Sequence, residues 1–252
     1  MSLRIRAVSK RFGGYLAIDE VSVEVPAGAL YGLIGPNGAG KSTLFAVISG
    51  FEKPDHGTLR FADTELSRLP VPARVRLGLG RTFQVPREFP HLTVRQNLMV
   101  AAPDQPGEAL LPLFLRPAVW RRAEADAMRR ADELLTFLRL EAVADLPAGR
   151  LSGGQKKLLE LGRVLMLEPK LVLLDEPFAG VNPTMVEEIS TRIRELHRRG
   201  IGFFVIEHNL QALRDLAERI YVMDRGRIIA FGPGREVLAD PAVREAYMGG
   251  VL

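Results

Sequence analysis

Short apolar segments separated by polar turns alternate with longer segments of helical periodicity along most of the chain. The continuous apolar runs at 30–34, 171–174 and 203–206 are typical of strands buried on both faces of a parallel sheet. Residues 1–9 and 17–25 alternate apolar with polar side chains and therefore predict two half-buried strands. The pattern indicates an α/β fold in which a buried parallel sheet is combined with half-exposed strands near the start of the chain.

The middle of the chain follows a different pattern. Residues 85–117 are repeatedly interrupted by proline, and residues 120–140 carry apolar side chains at helical spacing with arginines opposite, which predicts an amphipathic helix. A second helical segment, 156–167, follows Ser152, which is a suitable N-cap. We therefore predict an inserted helical subdomain at 85–155, between two α/β portions at 1–84 and 156–252.

The apolar run at 30–34 leads into a glycine-rich segment that matches the pattern G-x-x-x-x-G-K-[ST] of a phosphate-binding P-loop. Its residues are Gly35, Pro36, Asn37, Gly38, Ala39, Gly40, Lys41, Ser42 and Thr43. The three glycines permit backbone angles that turn successive N–H groups toward phosphate oxygens, and the following helix adds its positive end. The alternative, an ordinary glycine-rich turn, gives this match by chance in roughly one chain of this length in a hundred.

Three residues at the end of this loop have individual predicted roles. Lys41 places its ammonium between the β- and γ-phosphates, the Ser42 hydroxyl is a ligand for Mg²⁺, and Thr43 supports the α-phosphate. The whole segment 35–43 is therefore predicted to bind a nucleoside triphosphate together with Mg²⁺.

Two carboxylates, Asp175 and Glu176, directly follow the apolar run at 171–174. Because open α/β sheets bind ligands at the carboxyl ends of their strands, we predict that Asp175 holds Mg²⁺, mostly through water. Glu176 is predicted to take a proton from the attacking water. Adjacent strand residues point to opposite faces, so the alternative is that Glu176 faces solvent.

A histidine, His208, leaves the apolar run at 203–206 at the same edge of the predicted sheet. Its ring is predicted to form a hydrogen bond with the γ-phosphate. The alternative is a structural role, which is common for a single histidine.

Composition narrows the classes of function. The 252 residues are 47% apolar and 25% charged, as in folded soluble proteins, and contain no cysteine, which excludes disulfides and fits a reducing compartment. The start of the chain is predicted to be a strand rather than a signal peptide, and no apolar run approaches the roughly 20 residues of a membrane span. The net charge of +4 comes from interspersed side chains and favours a solvated surface over direct nucleic-acid binding.

The motifs, in their order along the chain, resemble those of the ATP-binding cassette (ABC) ATPase family. They are an aromatic residue before the P-loop, the P-loop itself, Gln84, the sequence Leu-Ser-Gly-Gly-Gln at 151–155, Asp175-Glu176 and His208. The resemblance covers nearly the whole chain and implies a single cassette. Its P-loop NTPase (RecA-like) core would carry an N-terminal antiparallel β subdomain and the helical insertion at 85–155 with the signature sequence.

The resemblance also implies roles for individual positions. Phe12 takes the place of the adenine-stacking aromatic, with Tyr15 as the second candidate, although either side chain could instead cover the core. Gln84 would contact Mg²⁺ or the lytic water and sense the membrane partner. The signature residues would bind the ATP held by an opposing subunit, and they are Ser152, Gly153, Gly154 and Gln155.

In the family, two cassettes close head to tail around ATP and separate after hydrolysis. Helices of the transporter dock in a groove beside the glutamine, where Val85, Phe89, Pro90 and Leu92 lie in this chain; core packing is the alternative use for some of them. The implied cofactors are ATP and Mg²⁺. The implied partners are permease subunits and a second ABC ATPase, identical or paralogous, at the cytoplasmic face of the cell membrane, with membrane contact only through these partners.

Several segments are similar to the ATPases of branched-chain amino-acid importers: 81–84, the long segment before Trp120, 179–183 and 246–249. One difference from the wider family is Asn182, which stands where an aspartate is usual. ATPases of urea or amide importers and of lipopolysaccharide exporters share much of this pattern and are alternatives. A soluble ABC ATPase acting on nucleic acid is a more distant one, because such relatives tend to carry coiled coils, zinc modules or a second cassette.

Overall fold

The structure is a computed structural model that describes residues 1–84, 87–103 and 117–248. Its contacts divide the chain into two compact units. The first comprises 1–84, 169–179 and 186–252, and the second comprises 85–168 and 180–185. The second unit thus extends beyond the predicted insertion at 85–155.

The strands of the described residues are β1 (Leu3–Phe12), β2 (Tyr15–Val25), β3 (Leu30–Ile34), β4 (His56–Phe61), β5 (Thr64–Glu65), β6 (Leu79–Arg81), β7 (Leu171–Asp175), β8 (Gly202–Ile206), β9 (Arg219–Asp224) and β10 (Arg227–Gly232). The α-helices are α1 (Lys41–Ser49), α2 (Val71–Arg76), α3 (Val94–Val100), α4 (Pro117–Leu138), α5 (Gly153–Leu165), α6 (Pro183–Arg198), α7 (Leu210–Leu216), α8 (Gly234–Val237) and α9 (Pro241–Met248). Among the residues described, no helix is both long enough and apolar enough to cross a bilayer.

The first unit contains two sheets. One is antiparallel, in the order β2-β1-β4-β5, and its strands alternate buried and exposed side chains as the sequence predicts. The other has the order β10-β9-β3-β8-β7-β6 and is parallel except for the β9–β10 hairpin. Every residue of β7 and β8 is buried, which explains their continuous apolar sequences.

The register of the parallel sheet decides where its strands end. Leu33 of β3 lies opposite Ile206 of β8, and Ile206 lies opposite Asp175 of β7. The carboxyl ends of these three strands are therefore level, although they are far apart in the sequence. The residues that follow them meet at one edge of the sheet, where parallel α/β folds bind ligands.

The second unit is helical and packs closely around one glycine. A Cβ atom added to Gly162 of α5 would lie 2.7 Å from Leu138 of α4 and 2.9 Å from Leu98 of α3. This close approach places α5 with α3 and α4, so the unit continues to residue 168 and does not end at 155. The predicted helix at 120–140 begins earlier and ends at Leu138, before Arg139 adopts a left-handed φ of 57°.

A buried amide organises the loop before α3. Asn97 is fully buried, its Nδ2 donates to the carbonyl oxygens of Phe89, Leu92 and Thr93 at 3.0, 3.2 and 2.9 Å, and its Oδ1 accepts from the Phe89 N–H at 2.8 Å. The Thr93 hydroxyl also caps α3 in a capping box with Gln96. The loop at 89–93 is therefore held to the first turn of the helix by side-chain hydrogen bonds.

Candidate functional site

The glycine-rich segment after β3 adopts the backbone angles that the sequence predicts, with φ values of 155°, 80° and 103° at Gly35, Gly38 and Gly40. At two of these positions the chain also leaves no room for a side chain. A Cβ atom would lie 2.0 Å from the Met223 carbonyl oxygen at Gly35 and 2.3 Å from the Ala17 carbonyl oxygen at Gly40. Only glycine satisfies both requirements, the positive φ and the lack of space for a Cβ atom. The loop therefore has bare backbone at these two positions.

The start of α1 is suited to bind an anion. Its N-cap is Gly40, which has no side chain with which to cap the first N–H groups, and the helix dipole adds partial positive charge there. Nine residues of helix continue from this point to Ser49. Phosphate oxygens are the ligands that such a helix start commonly receives.

Lys41, the first residue of α1, is buried beneath the loop. Its Nζ donates to the carbonyl oxygens of Gly35 at 2.8 Å and Pro36 at 3.0 Å. Burial lowers the pKa of this ammonium, while the nearby carboxylates Glu176 and Asp175 act in the opposite direction. The loop therefore holds a cation whose hydrogen-bond partners are neutral carbonyls that a phosphate could replace.

A cavity of about 290 Å³ lies along this loop. It is lined by residues 37–43 together with Gln84, Glu176 and His208, which follow three different strands, and by Tyr15 and Ala17. The level strand ends thus bring the predicted catalytic side chains to the predicted phosphate loop. Its size and polar lining suit the phosphate portion of a nucleotide rather than an apolar ligand.

Glu176 faces this cavity because the backbone changes direction after β7. The residue has a left-handed φ of 51°, and its N–H donates to the Ile206 carbonyl at 3.0 Å. Its carboxylate is bonded on both oxygens, by His208 Nε2 at 2.9 Å and by Gln84 Nε2 at 3.0 Å. The solvent-facing alternative therefore does not describe this structure. The hydrogen bond between His208 and Glu176 is not predicted by the sequence.

Asp175 is buried next to the cavity and pairs with Arg81. The Arg81 guanidinium donates to Asp175 Oδ2 at 3.2 Å and to Ser49 Oγ, at the end of α1, at 2.8 Å. The rings of Phe51 and Phe83 lie 5.7 and 5.4 Å from the guanidinium carbon. Burial lowers the pKa of Arg81, and the Asp175 carboxylate opposes this effect. Arg81 thus joins the end of the P-loop helix to the predicted magnesium ligand.

The residues predicted to hold Mg²⁺ supply the oxygen donors that this ion prefers: the hydroxyl of Ser42, the amide of Gln84 and the carboxylate of Asp175. Ser42 and Gln84 line the cavity itself. Among the described residues there is no cluster of three or more His, Asp or Glu side chains that could form an all-protein metal site. Mg²⁺ ordinarily binds through one or two protein ligands, phosphates and water, so these residues fit that ion.

A second buried carboxylate, Glu207, was not identified from the sequence. It is 2% exposed and accepts three backbone N–H donors, from Phe178 at 2.7 Å, His208 at 2.9 Å and Asn209 at 3.1 Å. Burial raises the pKa of Glu207, and the three amide bonds oppose this shift. The sequence signal was a single acidic residue directly after a buried strand, which alone does not indicate its partners.

The two aromatic candidates for adenine stacking occupy different surroundings. Phe12 is 43% exposed, with the Lys10 ammonium 5.2 Å from its ring centre, and it does not line the cavity. Tyr15 does line the cavity, and its hydroxyl donates to the Gly38 carbonyl at 3.1 Å. Tyr15 therefore contacts the phosphate loop, and at 58% exposure it is also more exposed than Phe12.

The signature sequence begins α5 in the second unit. Ser152 is its N-cap, as predicted, and forms a capping box with Gln155 in which each side chain accepts from the backbone N–H of the other. Gly153 is exposed. Gly154 is buried, and a Cβ atom there would lie 2.4 Å from Met185 Cγ. The exposed part of this helix start therefore consists of Ser152 and the backbone of Gly153.

Two further predicted features also lie in the second unit. The Asn182 side chain accepts from the Met185 N–H at 2.9 Å and so caps the first turn of α6. Phe89 is 44% exposed, with the Arg163 guanidinium 5.2 Å from its ring centre. Val85, residues 104–116 of the long segment before Trp120, and residue 249 of the segment 246–249 lie outside the described residues.

Comparisons with known proteins show the family of the chain. A family model described as "ABC transporter" matches residues 18–179, and one described as "Branched-chain amino acid ATP-binding cassette transporter" matches residues 227–251. The probable branched-chain amino acid transport ATP-binding protein LivG of Methanocaldococcus jannaschii is 41% identical over 98% of this chain and 97% of its own length. The lipopolysaccharide export system ATP-binding protein LptB of Acidithiobacillus ferridurans is 34% identical over 98% and 96%. A crystal structure of the ADP conformation of an ATP-binding cassette of an ABC transporter has a TM-score of 0.85 and 39% identity, covering 99% of each chain.

Proposed function

Because this chain belongs to the ABC transporter family, we propose that it is the ATP-hydrolysing motor subunit of a branched-chain amino-acid importer. The observation that carries the proposal is the meeting of Lys41, Gln84, Glu176 and His208 around one cavity that follows a glycine-rich loop. Relatives named as branched-chain amino acid transport ATP-binding proteins, similar over nearly their full length, support the choice of transporter.

Each residue of the cavity has a role in ATP binding or hydrolysis. The N–H groups of residues 38–43 and the Lys41 ammonium bind the phosphates, replacing the carbonyl partners that Lys41 has in the structure. Glu176 is the general base, because its carboxylate lies beside the loop and is bonded by His208 and Gln84, which orient it. His208 also donates to the γ-phosphate. Adenine stacks on Phe12 or Tyr15.

Mg²⁺ is the proposed metal cofactor. Ser42, Gln84 and Asp175 would hold it, the last mostly through water. When bound, it neutralises charge on the β- and γ-phosphates. The residues of the chain then have the tasks of orienting the phosphates and accepting the proton of the attacking water.

The proposed partners follow from the exposed parts of the second unit. We propose that two subunits close head to tail, so that Ser152, Gly153, Gly154 and Gln155 of one complete the ATP site of the other. Phe89, with Pro90 and Leu92, would receive permease helices at the cytoplasmic face of the membrane. The exposure of Phe89 and of the Ser152 helix start supports these roles.

Co-purification from native membranes tests the proposal. An affinity-tagged chain is expected to bring down permease subunits of an importer, and the purified complex should hydrolyse ATP faster when a branched-chain amino acid and its binding protein are added. Complexes that instead respond to lipopolysaccharide would favour the second candidate, an exporter ATPase, for which the 34% identity to LptB is the supporting observation.

A further inference from the structure

Glu207 is a buried acid that the proposed mechanism leaves without a role. Its carboxylate does not line the cavity, and its three bonds are with backbone N–H groups. Those groups belong to two separate segments. Phe178 follows Glu176 after β7, whereas His208 and Asn209 follow β8.

The two oxygens of the carboxylate divide between these segments. Oε1 accepts from the Phe178 N–H at 2.7 Å, and Oε2 accepts from the N–H groups of His208 and Asn209 at 2.9 and 3.1 Å. Asn209 is in turn the N-cap of α7, its side chain accepting from the Ala212 N–H. One carboxylate thus joins the segment that carries Glu176 to the segment that carries His208.

The same two segments also meet at their catalytic side chains. His208 Nε2 and Glu176 Oε1 are 2.9 Å apart, while the Glu176 N–H donates to the Ile206 carbonyl. The strained left-handed φ of Glu176 must be maintained by its surroundings, and hydrogen bonds on both sides of the residue provide this restraint. A misplacement of about 1 Å at such a pair can reduce catalysis about 100-fold.

We propose that Glu207 is a positioning residue, which sets the geometry of Glu176 and His208 by bridging the backbone segments that carry them. This inference rests on the catalytic roles proposed for those two residues. The bridge needs a carboxylate of this length. A glutamine has one oxygen, and its NH₂ would face at least one backbone N–H, while an aspartate keeps the charge but is one methylene too short to reach both segments.

The test compares Glu207→Gln, Glu207→Asp and His208→Ala with the double variant Glu207→Gln/His208→Ala in the full chain. Both Glu207 variants are expected to reduce kcat about 10- to 100-fold. Their affinity for a fluorescent ATP analogue should stay within about twofold of wild type, because the phosphate loop is untouched. In the double variant the loss should be smaller than the product of the two single losses, because part of the effect of Glu207→Gln acts through His208, while the part that acts through Glu176 remains.

A matched control separates positioning from general destabilisation. Val23 is a buried residue of β2, outside the proposed site, and Val23→Ala should lower Tm while leaving kcat unchanged. If Glu207→Gln does not fold, Glu207→Asp still decides the question, because it retains the buried charge.

Three results would overturn the proposal: full kcat in Glu207→Gln, losses that multiply in the double variant, or a Glu207→Asp variant as active as wild type. Full activity in Glu207→Asp would indicate that the buried charge is required but the bridge between the two segments is not. The proposed function fails separately. If Glu176→Gln and His208→Ala themselves retain full kcat, the assignment of the catalytic pair is wrong whatever Glu207 does.

Discussion

The phosphate loop of the first unit and the signature helix start of the second unit use their polar groups in different ways. Around the loop, Lys41 is bonded by backbone carbonyls, and Glu176 is bonded by Gln84 and His208. At the signature, the side chains of Ser152 and Gln155 are used to cap their own helix. The polar side chains around the loop therefore contact residues of other segments, whereas those of the signature bond to their own helix start, which is exposed at Ser152 and Gly153.

Glu176→Gln is expected to have the largest effect and tests whether the first region supplies the general base. Removing the carboxylate should reduce phosphate release about 10²- to 10⁴-fold, since Glu176 is the only carboxylate among the residues that line the cavity. ATP binding should persist, and a dimer should accumulate with Mg-ATP in size-exclusion chromatography. The exposed Glu65→Gln on β5 is the control and should be as active as wild type. Near-normal hydrolysis by Glu176→Gln would remove this residue from the role of base.

Lys41→Ala should weaken ATP binding by an isolated subunit. Loss of the charged hydrogen bonds from its ammonium to phosphate is expected to cost about 10- to 100-fold in affinity, measured by calorimetric titration. Lys53→Ala, at an exposed lysine beyond α1, should bind ATP as wild type does. Unchanged affinity in Lys41→Ala would contradict the assignment of the phosphate loop.

Arg81→Gln tests whether the first region is stabilised by its own buried ion pair. The side chains of Arg81 and Asp175 are 12% and 4% exposed, so removing the guanidinium should cost about 3–5 kcal/mol. A change of this size lowers Tm by roughly 6–20 °C in a chain of this length, measurable by calorimetry. Arg60→Gln, at an exposed arginine of β4, serves as the control. Equal Tm values for the two variants would mean that the pair contributes little.

Ser152 variants should have the smallest effect on stability and on ATP affinity. They test whether the signature takes part in ATP binding by an isolated subunit. Ser152→Ala removes the N-cap of α5 and should cost about 1 kcal/mol in stability, whereas Ser152→Asn should keep the cap. ATP affinity of the isolated subunit should stay within about twofold of wild type in both. If isolated subunits of both variants bind ATP more weakly, the signature belongs to the subunit's own ATP site. The proposed difference between the two regions would then be wrong.

Local patterns predicted much of the fold and the site. The glycine pattern around Lys41 predicts its loop because the required backbone angles are local properties, and the apolar runs predict β7 and β8 because buried strands have no polar face. The signature N-cap at Ser152 is likewise a local signal. The fold that these elements form is that of ABC cassettes of known structure.

Contacts between distant segments could not be predicted in this way. The pairing of Arg81 with Asp175 and the bridge made by Glu207 depend on the register of β6, β7 and β8, which no single segment contains. The left-handed φ of Glu176 also could not be predicted, because a glutamate in the sequence gives no signal of this backbone conformation. Periodicity predicts that α5 is a helix but not which helices it packs against, so the predicted insertion ends at 155 whereas the second unit continues to 168.

The four hydrogen bonds of the buried Asn97 fasten the loop before α3 to that helix. A segment tied at Phe89, Leu92 and Thr93 to one amide cannot bend without breaking those bonds. A displacement of the exposed Phe89 side chain would therefore reach α3 through these hydrogen bonds.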